Sequence, residues 1–240
     1  MKQNQDQAAL PVIEITDKKG WAALNLGELV HYRDLFFFLV WRNIKVLYAQ
    51  TILGFMWAIL NPAIQIAIFT VIFGKVAKIP TGDIPYLLFV TVAIVPWTYM
   101  SEAMTSSSQS LVSDQSILGK VYFPRLIYPS TPVLAKLVDF VIAISIIVAI
   151  MIYYGVAPSW NLLFLPLFIL LMIIVPLGVG LWLSALAIRY RDVKFAMGFF
   201  IRMAMYTAPI VYSSASIPEA YRFIYSLNPI VAVIEGYRST

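Results

Sequence analysis

Charged side chains inside apolar sequence are the first sign of chemistry in this chain. Lys136 and Asp139 stand three residues apart within one apolar stretch, and at that spacing on a helix the two can form an ion pair. A structural salt bridge would account for both. Arg202 stands in the middle of another apolar stretch, where an arginine costs on the order of 2.5 to 3.5 kcal/mol in a bilayer. We therefore expect Arg202 to face a bundle interior, a subunit interface or water.

The residue types that most enzymes use are scarce. The chain has 0 Cys and 1 His, which excludes thiol nucleophiles, thiolate metal sites and multi-histidine sites. Gly119-Lys120 is followed by Val121 and has no glycine five residues before it, so no G-x-x-x-x-G-K-[ST] loop binds a nucleotide phosphate. The motifs H-E-x-x-H and G-x-S-x-G are absent as well. We predict no catalytic residue, no metal site and no cofactor in this chain.

The composition predicts an all-α integral membrane protein. Hydrophobic residues make up 61% and charged residues 12% of the 240 residues, against roughly 45 to 50% and about 25% in soluble domains. Several apolar stretches approach the ~20 residues that cross ~30 Å of hydrocarbon. We predict five transmembrane helices, at 52–73, 84–104, 133–154, 162–188 and 195–212. The net charge of +5 then reflects membrane topology, and no nucleic acid is expected as a partner.

Residues 26–51 predict an amphipathic helix that lies in the membrane interface. His31, Asp34, Arg42 and Lys45 fall within roughly 80° of one another at about 100° per residue, and apolar side chains cover the rest of the surface. The polar stripe would face water and head groups, and the apolar face would lie in the acyl boundary. Two roles fit this helix, a membrane anchor and a lever that lies against a cytosolic partner.

Basic residues near the span ends predict the orientation, because Lys and Arg are retained on the cytoplasmic side. One side of the membrane carries more of them than the other. The larger group consists of Arg33, Arg42, Lys45, Lys120, Arg125, Arg189, Arg191 and Lys194, and the smaller of Lys75, Lys78, Arg222 and Arg238. This asymmetry places the amino-terminal tail at 1–25, the loop at 105–132 and the turn at 189–194 in the cytosol. A cytosolic partner that drives this protein would have to bind one of these segments.

Prolines interrupt the predicted spans. Asn61-Pro62 lies in the first span, and Pro96, Pro176 and Pro209 lie in later ones. Proline removes a helical donor and frees a carbonyl that lipid cannot satisfy, so such breaks are tolerated where other helices or water supply partners. Broken helices are typical of a transport path. No ladder of carboxylates accompanies them, which disfavours a proton-coupled carrier.

Several short strings occur in a characteristic order. They are Tyr32-Arg33-Asp34-Leu35, Trp41-Arg42-Asn43-Ile44-Lys45-Val46, Leu53-Gly54-Phe55-Met56-Trp57-Ala58-Ile59-Leu60-Asn61-Pro62, Pro96-Trp97, Lys120-Val121-Tyr122-Phe123-Pro124-Arg125, Arg189-Tyr190-Arg191-Asp192-Val193, Ala208-Pro209-Ile210-Val211-Tyr212 and Leu227-Asn228-Pro229-Ile230. With these strings, over about residues 20–240, the chain resembles the permease subunit of polysaccharide-exporting ATP-binding-cassette transporters. That family includes exporters of O-antigen, capsule and teichoic acid chains carried on a polyprenyl diphosphate lipid.

The resemblance implies the channel-forming permease of an ATP-driven exporter in the bacterial cytoplasmic membrane, with residues 52–240 as its transmembrane domain. Two copies would form a homodimeric channel at a two-fold interface. Two cytosolic ATPase subunits would bind ATP and Mg²⁺ and drive polyprenyl-diphosphate-linked polysaccharide outward. Two departures from the family pattern are mild: Arg42-Asn43 stands where relatives usually have Arg-Asp, and Ala208-Pro209 stands where they often have Ser-Pro.

The resemblance also implies contacts between the cytosolic loops and the ATPase subunits. The predicted contacts are Tyr122, Phe123, Pro124 and Arg125 in the long loop, followed by Arg189, Arg191 and Asp192 in the tight turn. An aromatic side chain beside a guanidinium suits a groove on a partner. Retention of positive charge on the cytoplasmic side explains the arginines about as well.

Aromatic and basic residues are the predicted contacts with the substrate, since aromatic faces pack against the apolar faces of sugar rings. The predicted channel-lining residues are Trp57, Asn61, Trp97, Arg202, Tyr206 and Tyr212. Arg33, Arg42 and Lys45 would attract the diphosphate of the lipid carrier near the inner leaflet. Ordinary anionic membrane lipids are equally suitable ligands for these three side chains.

Residues 213–229 predict a re-entrant element at the outer mouth of the channel. Pro218 begins a short helix in which Glu219 and Arg222 pair on one side. An ordinary helix in a surface loop fits the same pattern. Relatives have a sixth span, whereas residues 230–240 reach only about 17 Å. We expect that span to be cut off in this sequence.

Two other functions remain open. A related ATP-driven exporter of drugs or small lipids would share the fold. An integral-membrane transferase on lipid-linked sugars would need a cluster of acids or bases at one membrane face, and the sequence shows none.

Overall fold

The regular secondary structure of this protein is helical throughout the part of the chain that the structure describes. The computed structural model describes residues 30–49, 53–82, 84–113, 124–190 and 192–239. The helices are α1 (Arg33–Tyr48), α2 (Trp57–Phe69), α3 (Tyr86–Ser113), α4 (Ile127–Ala135), α5 (Leu137–Tyr154), α6 (Leu165–Arg189), α7 (Val193–Thr207), α8 (Glu219–Ser226) and α9 (Pro229–Ser239). Short 3-10 turns at Gly54–Met56, Trp160–Phe164 and Ser214–Ser216 precede α2, α6 and α8, and α2 continues as a π-helix at Thr70–Val76. The all-α prediction is confirmed for these residues.

Four helical segments of the described residues are long and apolar enough to cross a membrane. They are Gly54–Val76, Tyr86–Ser113, Ile127–Tyr154 and Trp160–Arg189. These segments confirm the first four predicted spans, with boundaries that move by several residues. The third segment joins α4 to α5 through Lys136, whose φ of −69° and ψ of −14° stay close to helical values.

The fifth predicted span, at 195–212, is only partly helical. Helix α7 ends at Thr207 after 15 residues, which reach about 22 Å and fall short of ~30 Å of hydrocarbon. Ala208 is extended, with φ −90° and ψ 149°, because the ring of Pro209 disfavours a helical conformation in the residue before it. A continuous helix to residue 212 is therefore wrong, and a fifth crossing of the membrane stays a prediction.

Helix α3 lies at the centre of the bundle. In its most apolar window 72% of the residues are buried, against 11 to 22% in the other three membrane segments. Its contact with α6 is close, since a Cβ added at Gly180 would lie 2.1 Å from Ser107 Oγ. Ser107 donates to the carbonyl of Pro129 in α4 at 2.7 Å. Small residues in α3 and α6 thus let three helices meet at one level, as in other membrane bundles.

Helix α1 packs one side against the bundle and leaves a large apolar surface uncovered. Leu39 is buried, and Tyr32 and Leu35 contact a small core around α3 and α4. Phe37 and Phe38 are 78% and 62% exposed. The predicted position of this helix in the membrane interface accounts for such exposed aromatic side chains, and it stays a prediction.

Helix α9 closes the bundle next to α6 and α3. Val233 and Ile234 are fully buried, and the close approach of α9 to α6 needs a glycine, because a Cβ at Gly236 would overlap the ring of Phe168 at 2.4 Å. The amide of Asn161 donates to the carbonyl of Ser239 at 2.9 Å. The end of α9 is thereby fixed to the turn that precedes α6. The re-entrant course predicted for 213–229 is not tested by these contacts.

A buried arginine holds the segment after α7 in place. Arg238 of α9 bonds Glu235 at 3.1 Å and the carbonyl of Ile210 at 3.1 Å, and its guanidinium lies 3.6 Å from the centroid of the Phe89 ring. The hydroxyl of Tyr86 donates to the carbonyl of Val211 at 3.1 Å. Side chains from α3 and α9 therefore satisfy carbonyl groups that the break at Pro209 leaves outside any helix.

Candidate functional site

A cavity of about 540 Å³ with a mixed polar and apolar lining lies between α1, α2, α3, α5 and α7. Its polar lining includes Tyr48 of α1, Trp57 and Asn61 of α2, Glu102 of α3, Lys136 and Asp139 at the start of α5, and Arg202 of α7. Glu102 stands eleven residues before the end of α3 at Ser113, a rise of about 16 Å. In the predicted orientation, the cavity therefore lies inside the membrane, closer to the cytosol.

Helix α2 presents one polar face to the cavity. Trp57 and Asn61 are four residues apart, so their side chains lie on the same face of the helix. Pro62 follows within the helix and has no N–H group, which leaves the carbonyl of Ala58 without its usual helical donor. Ala58 also lines the cavity. Pro62 thus leaves one backbone acceptor of α2 without a helical partner while the helix itself continues.

An ionic cluster forms another part of the lining. The ammonium group of Lys136 donates to Glu102 Oε2 at 2.7 Å and to Asp139 Oδ2 at 2.9 Å. The predicted pair of Lys136 with Asp139 is confirmed, and Glu102 joins it from α3. Because one lysine serves two carboxylates, these three side chains together carry one negative charge.

Tyr48 connects α1 to this cluster. Its hydroxyl donates to Asp139 Oδ1, so both carboxylate oxygens of Asp139 have a partner. Burial raises the pKa of Tyr48, and the hydrogen bond and the negative charge of Asp139 raise it further. The hydroxyl therefore stays protonated and keeps donating at neutral pH.

Arg202 brings a positive charge to the cavity from α7. Its Nε donates to the carbonyl of Gly198 at 2.9 Å, one turn earlier on the same helix. Among the residues that the structure describes, no carboxylate lies within ion-pair distance of this guanidinium. Trp57 and Asn61 likewise make no hydrogen bond from their side chains to another described residue. These three side chains leave donors open to the cavity.

A second cavity of about 390 Å³ lies between α1, α3 and α4. Arg42, Asn43, Gln109 and Thr131 contribute to its polar lining. Leu47, Ser106 and Lys136 line both cavities, so the two adjoin at these side chains. Arg42 in the second cavity and Arg202 in the larger one therefore line two cavities that adjoin each other.

The sequence profile of the family described as "ABC-2 type transporter" matches residues 34–240. The chain belongs to this family. Among its relatives are two O-antigen export system permease proteins RfbA. The protein of Myxococcus xanthus is 26% identical over 214 residues, covering 88% of this chain and 82% of the relative, and that of Klebsiella pneumoniae is 30% identical over 215 residues, covering 89% and 81%. The polysialic acid transport protein KpsM of Escherichia coli is 24% identical over 199 residues, covering 81% and 76%.

The resemblance deduced from the short strings is confirmed by these matches. The ABC-2 profile begins at Asp34, within α1, and continues to the last residue, so one family accounts for α1 and for every later helix. Membership in the ABC-2 family makes this chain a multi-pass membrane protein of a transport system. It is similar to permeases of polysaccharide export along almost nine tenths of its length.

The structure of this ABC-2 chain brings some of the predicted channel-lining residues together and separates others. Trp57, Asn61 and Arg202 line the larger cavity. The list of predicted lining residues also holds Trp97, Tyr206 and Tyr212. Trp97 is 3% exposed in the hydrophobic core between helices and lines neither cavity, because α3 is covered on most sides. Tyr206 is exposed at the end of α7, and the hydroxyl of Tyr212 donates to its carbonyl at 3.4 Å.

The predicted ATPase contacts lie in or beside two connections of the ABC-2 chain. Tyr122, Phe123 and Arg191 lie outside the described residues. Pro124 and Arg125 begin the turn that leads into α4, and Arg125 is exposed. Arg189 ends α6, with its guanidinium 5.6 Å from the centroid of the Tyr190 ring, and the carbonyl of Asp192 accepts from amides in the first turn of α7. The described members of the set are thus available at helix ends.

The three predicted ligands of the lipid diphosphate lie in different environments on α1. Arg42 faces the second cavity, whereas Arg33 and Lys45 are exposed. Arg33 lies 3.7 Å from Asp34 in a solvated pair, and the ammonium group of Lys45 lies 5.5 Å from the Trp41 ring centroid. Of the three basic side chains, only Arg42 lines the cavity that adjoins the larger one.

Sequence reasoning missed the parts of the site that depend on distant contacts. Glu102 meets Lys136 across 34 residues of sequence, and Tyr48 meets Asp139 across 91. Neither separation leaves a periodic signal on one helix. A charge balance would have pointed to Glu102, because Lys136 and Arg202 are two cations in predicted spans and Asp139 alone is one anion.

Proposed function

We propose that this chain is the channel-forming permease of an ATP-driven exporter of polysaccharide linked to polyprenyl diphosphate, of the O-antigen type. The observation that carries the proposal is the identity of 26 to 30% with two O-antigen export permeases along 88 to 89% of the chain. The direction of transport is from the cytosol across the bacterial cytoplasmic membrane.

The polar cavity supports a permease for hydroxyl-rich chains. A glycan has many groups that form hydrogen bonds, and each would lose its partners in hydrocarbon. The larger cavity offers charged side chains, an amide and an indole within the membrane bundle. Phe140 and Ile201 add apolar surface to the same lining, which suits the apolar faces of sugar rings. Such a mixed surface stabilises a polysaccharide without selecting one sugar.

The channel in this proposal forms between two copies of the chain. The larger cavity is open on one side, and Arg202 is exposed in the single chain. A second copy across a two-fold axis would cover that side and bring a second set of lining residues. A homodimer therefore accounts for a costly cation at this surface, and membrane lipids would surround the pair.

Two cytosolic ATPase subunits supply the energy, with ATP and Mg²⁺ bound to them. The permease transmits their closure through the loop that contains Tyr122, Phe123, Pro124 and Arg125, and through the turn with Arg189, Arg191 and Asp192. The orientation with a cytosolic amino terminus is part of this proposal. It rests on the excess of basic residues on that side.

Deletion of the gene in its host tests the proposal. We expect the surface polysaccharide to disappear and polyprenyl-diphosphate-linked glycan to accumulate inside the cell, and a plasmid copy of the gene to restore export. ATP hydrolysis in the copurified complex should depend on the cytosolic subunits alone. Unchanged surface polysaccharide together with lost efflux of a drug or small lipid would contradict the proposal, as would turnover of lipid-linked sugars by the isolated permease.

A further inference from the structure

We propose that Arg202, together with Asn61 and Trp57, forms an anion-binding subsite on the wall of the larger cavity. The subsite would take a phosphate or carboxylate group of the exported molecule. This inference rests on the proposed function, since it assigns one charged part of the substrate to one part of the channel wall.

The groups that surround the subsite leave Arg202 available for a ligand. Asp139 is bonded through both oxygens, to Tyr48 and to Lys136, and Glu102 is bonded to the same lysine. The Nε of Arg202 is used by a backbone carbonyl of its own helix. Its two terminal nitrogens make no bond to any other residue in the described ranges.

The chemistry of these donors favours an oxyanion. A guanidinium is planar and presents two parallel N–H groups, which match two oxygens of a phosphate or carboxylate. Asn61 adds an amide N–H, and Trp57 adds an indole N–H from the next turn of the same helix face. These donors come from two helices and line the same cavity, so one anionic group bound there can accept from more than one of them.

A ligand would also relieve the cost of the unpaired cation. A guanidinium without a partner is unfavourable in a bilayer. Lys136 neutralises one of the two carboxylates of the cavity, so an incoming anion meets one remaining negative charge from this cluster and the positive charge of Arg202. An anion that pairs with Arg202 therefore gains Coulomb energy in a partly desolvated site.

The anionic group can have two sources in an exporter of lipid-linked glycans. One is the diphosphate that joins the lipid to the first sugar, and the other is an acidic sugar within the chain. Both present oxyanions to the same donors. The two sources differ in the probe that should bind, and the experiment contains an arm for each.

Binding to the purified permease–ATPase complex in nanodiscs tests the subsite. The probes are farnesyl diphosphate, farnesol as the uncharged control, and an oligomer of sialic acid. Arg202→Gln should weaken the binding of the charged probe about tenfold or more, while Arg202→Lys should retain part of it. Arg222→Gln, at an exposed arginine of α8, is the matched control and should leave the binding within about twofold of wild type.

The identity of the binding probe separates the two sources. Binding of farnesyl diphosphate alone assigns the subsite to the lipid carrier, and binding of the sialic acid oligomer alone assigns it to the glycan. Equal affinity of the wild type and Arg202→Gln for every charged probe would overturn the proposal. Failure of all charged probes to bind the wild type would overturn it too.

Chemical labelling of the wild-type complex avoids any dependence on the folding of a variant. Phenylglyoxal modifies accessible arginines, and mass spectrometry follows each site. A bound anionic probe should protect Arg202 but not Arg222, and loss of that difference would contradict the subsite.

The result is distinct from a failure of the proposed function, because wild-type export is measured separately by rescue of the deletion strain. Export that is rescued equally by wild type and Arg202→Gln, without protection, would refute only the subsite.

Discussion

Lys136 determines the charge balance of the larger cavity. Its ammonium group bonds Glu102 and Asp139 at 2.7 and 2.9 Å, and its side chain is 15% exposed. One lysine and two carboxylates leave a charge of −1, and Arg202 on α7 brings the four groups to zero. A neutral set of charges costs less to hold between membrane helices than an unbalanced one.

Lys136→Met should destabilise the permease by about 2 kcal/mol. Removal of one partner from a buried pair costs about 3 to 5 kcal/mol, and the 34% exposure of Glu102 reduces this value through solvent screening. Thermal unfolding of the complex in nanodiscs measures the effect. Lys75→Met, at an exposed lysine, should leave the midpoint nearly unchanged. Adding Glu102→Gln to Lys136→Met should recover part of the loss, and no recovery would contradict the proposed charge balance.

At the level of single residues, the sequence predicted contacts along one helix and missed those between helices. The pair Lys136–Asp139 follows from a spacing of three residues. The contacts of Glu102 and Tyr48 depend on how α1, α3 and α5 pack, which no local pattern encodes. Trp97 shows the same limit, since its burial results from the central position of α3.

Helix α1 is attached to the bundle at its carboxyl end through the bond from Tyr48 to Asp139. The residues Tyr32 and Leu35 contact a small core around Leu111 and Tyr128, and Leu39 is buried, while Phe37 and Phe38 stay exposed. When a helix has few buried side chains, individual hydrogen bonds contribute much of the free energy that holds it in place. The Tyr48 hydroxyl is therefore expected to control how freely α1 moves on the bundle.

Tyr48→Phe should loosen α1 while the rest of the bundle stays folded. The lost bond to a carboxylate corresponds to about 1.5 to 3 kcal/mol, so amide exchange in residues 33–48 should rise about tenfold or more. Hydrogen exchange with mass spectrometry on the complex in nanodiscs measures this change. Tyr153→Phe, at an exposed tyrosine of α5, is the control.

The pH dependence of this difference provides a further check of the same prediction. The pKa of Tyr48 lies above its ordinary value of 10.0 in the folded protein, because of burial and Asp139. The hydroxyl is then protonated in both the folded and the unfolded chain below about pH 10, and its contribution stays constant there. Above that pH the unfolded chain loses the proton first, so the advantage of wild type over Tyr48→Phe should shrink. A difference that grows with pH would contradict the bond.

At the level of elements, long apolar runs correctly predicted four membrane helices. The helix predicted at 195–212 ends earlier, because Pro209 interrupts it. Runs of about 20 apolar residues leave few alternatives to a membrane helix, which is why the first four predictions succeeded. The end of α7 depends instead on one residue, Pro209. The chain after it is held by Arg238, which donates to the carbonyl of Ile210. The sequence shows the proline, but the arginine partner comes from packing.

On the scale of the whole molecule, the helices bring the two connections that are predicted to be cytosolic to one end of the bundle. Helix α3 descends to Ser113, α4 rises from Ile127, and α6 descends to Arg189 before α7 begins. Consecutive antiparallel spans place these ends on the same membrane face. A cytosolic subunit at that face can contact the loop before α4 and the turn before α7 together, so its closure can move α4, α5 and α7 around the cavity.

Replacement of Phe123 and Arg125 by alanine should uncouple ATP hydrolysis from export. An aromatic side chain and an arginine at the centre of a contact often dominate its free energy, so export should fall about tenfold or more while membrane insertion stays intact. Export of surface polysaccharide, copurification of the ATPase and insertion are measured on the same strains. The adjacent pair Arg222 and Phe223 in α8 offers a matched double replacement, which should leave ATPase copurification unchanged because the predicted topology places α8 on the opposite side of the membrane from the cytosolic loops. Full export by the Phe123→Ala, Arg125→Ala variant would exclude this loop as the transmitting element and leave the turn with Arg189 and Asp192 to carry the motion.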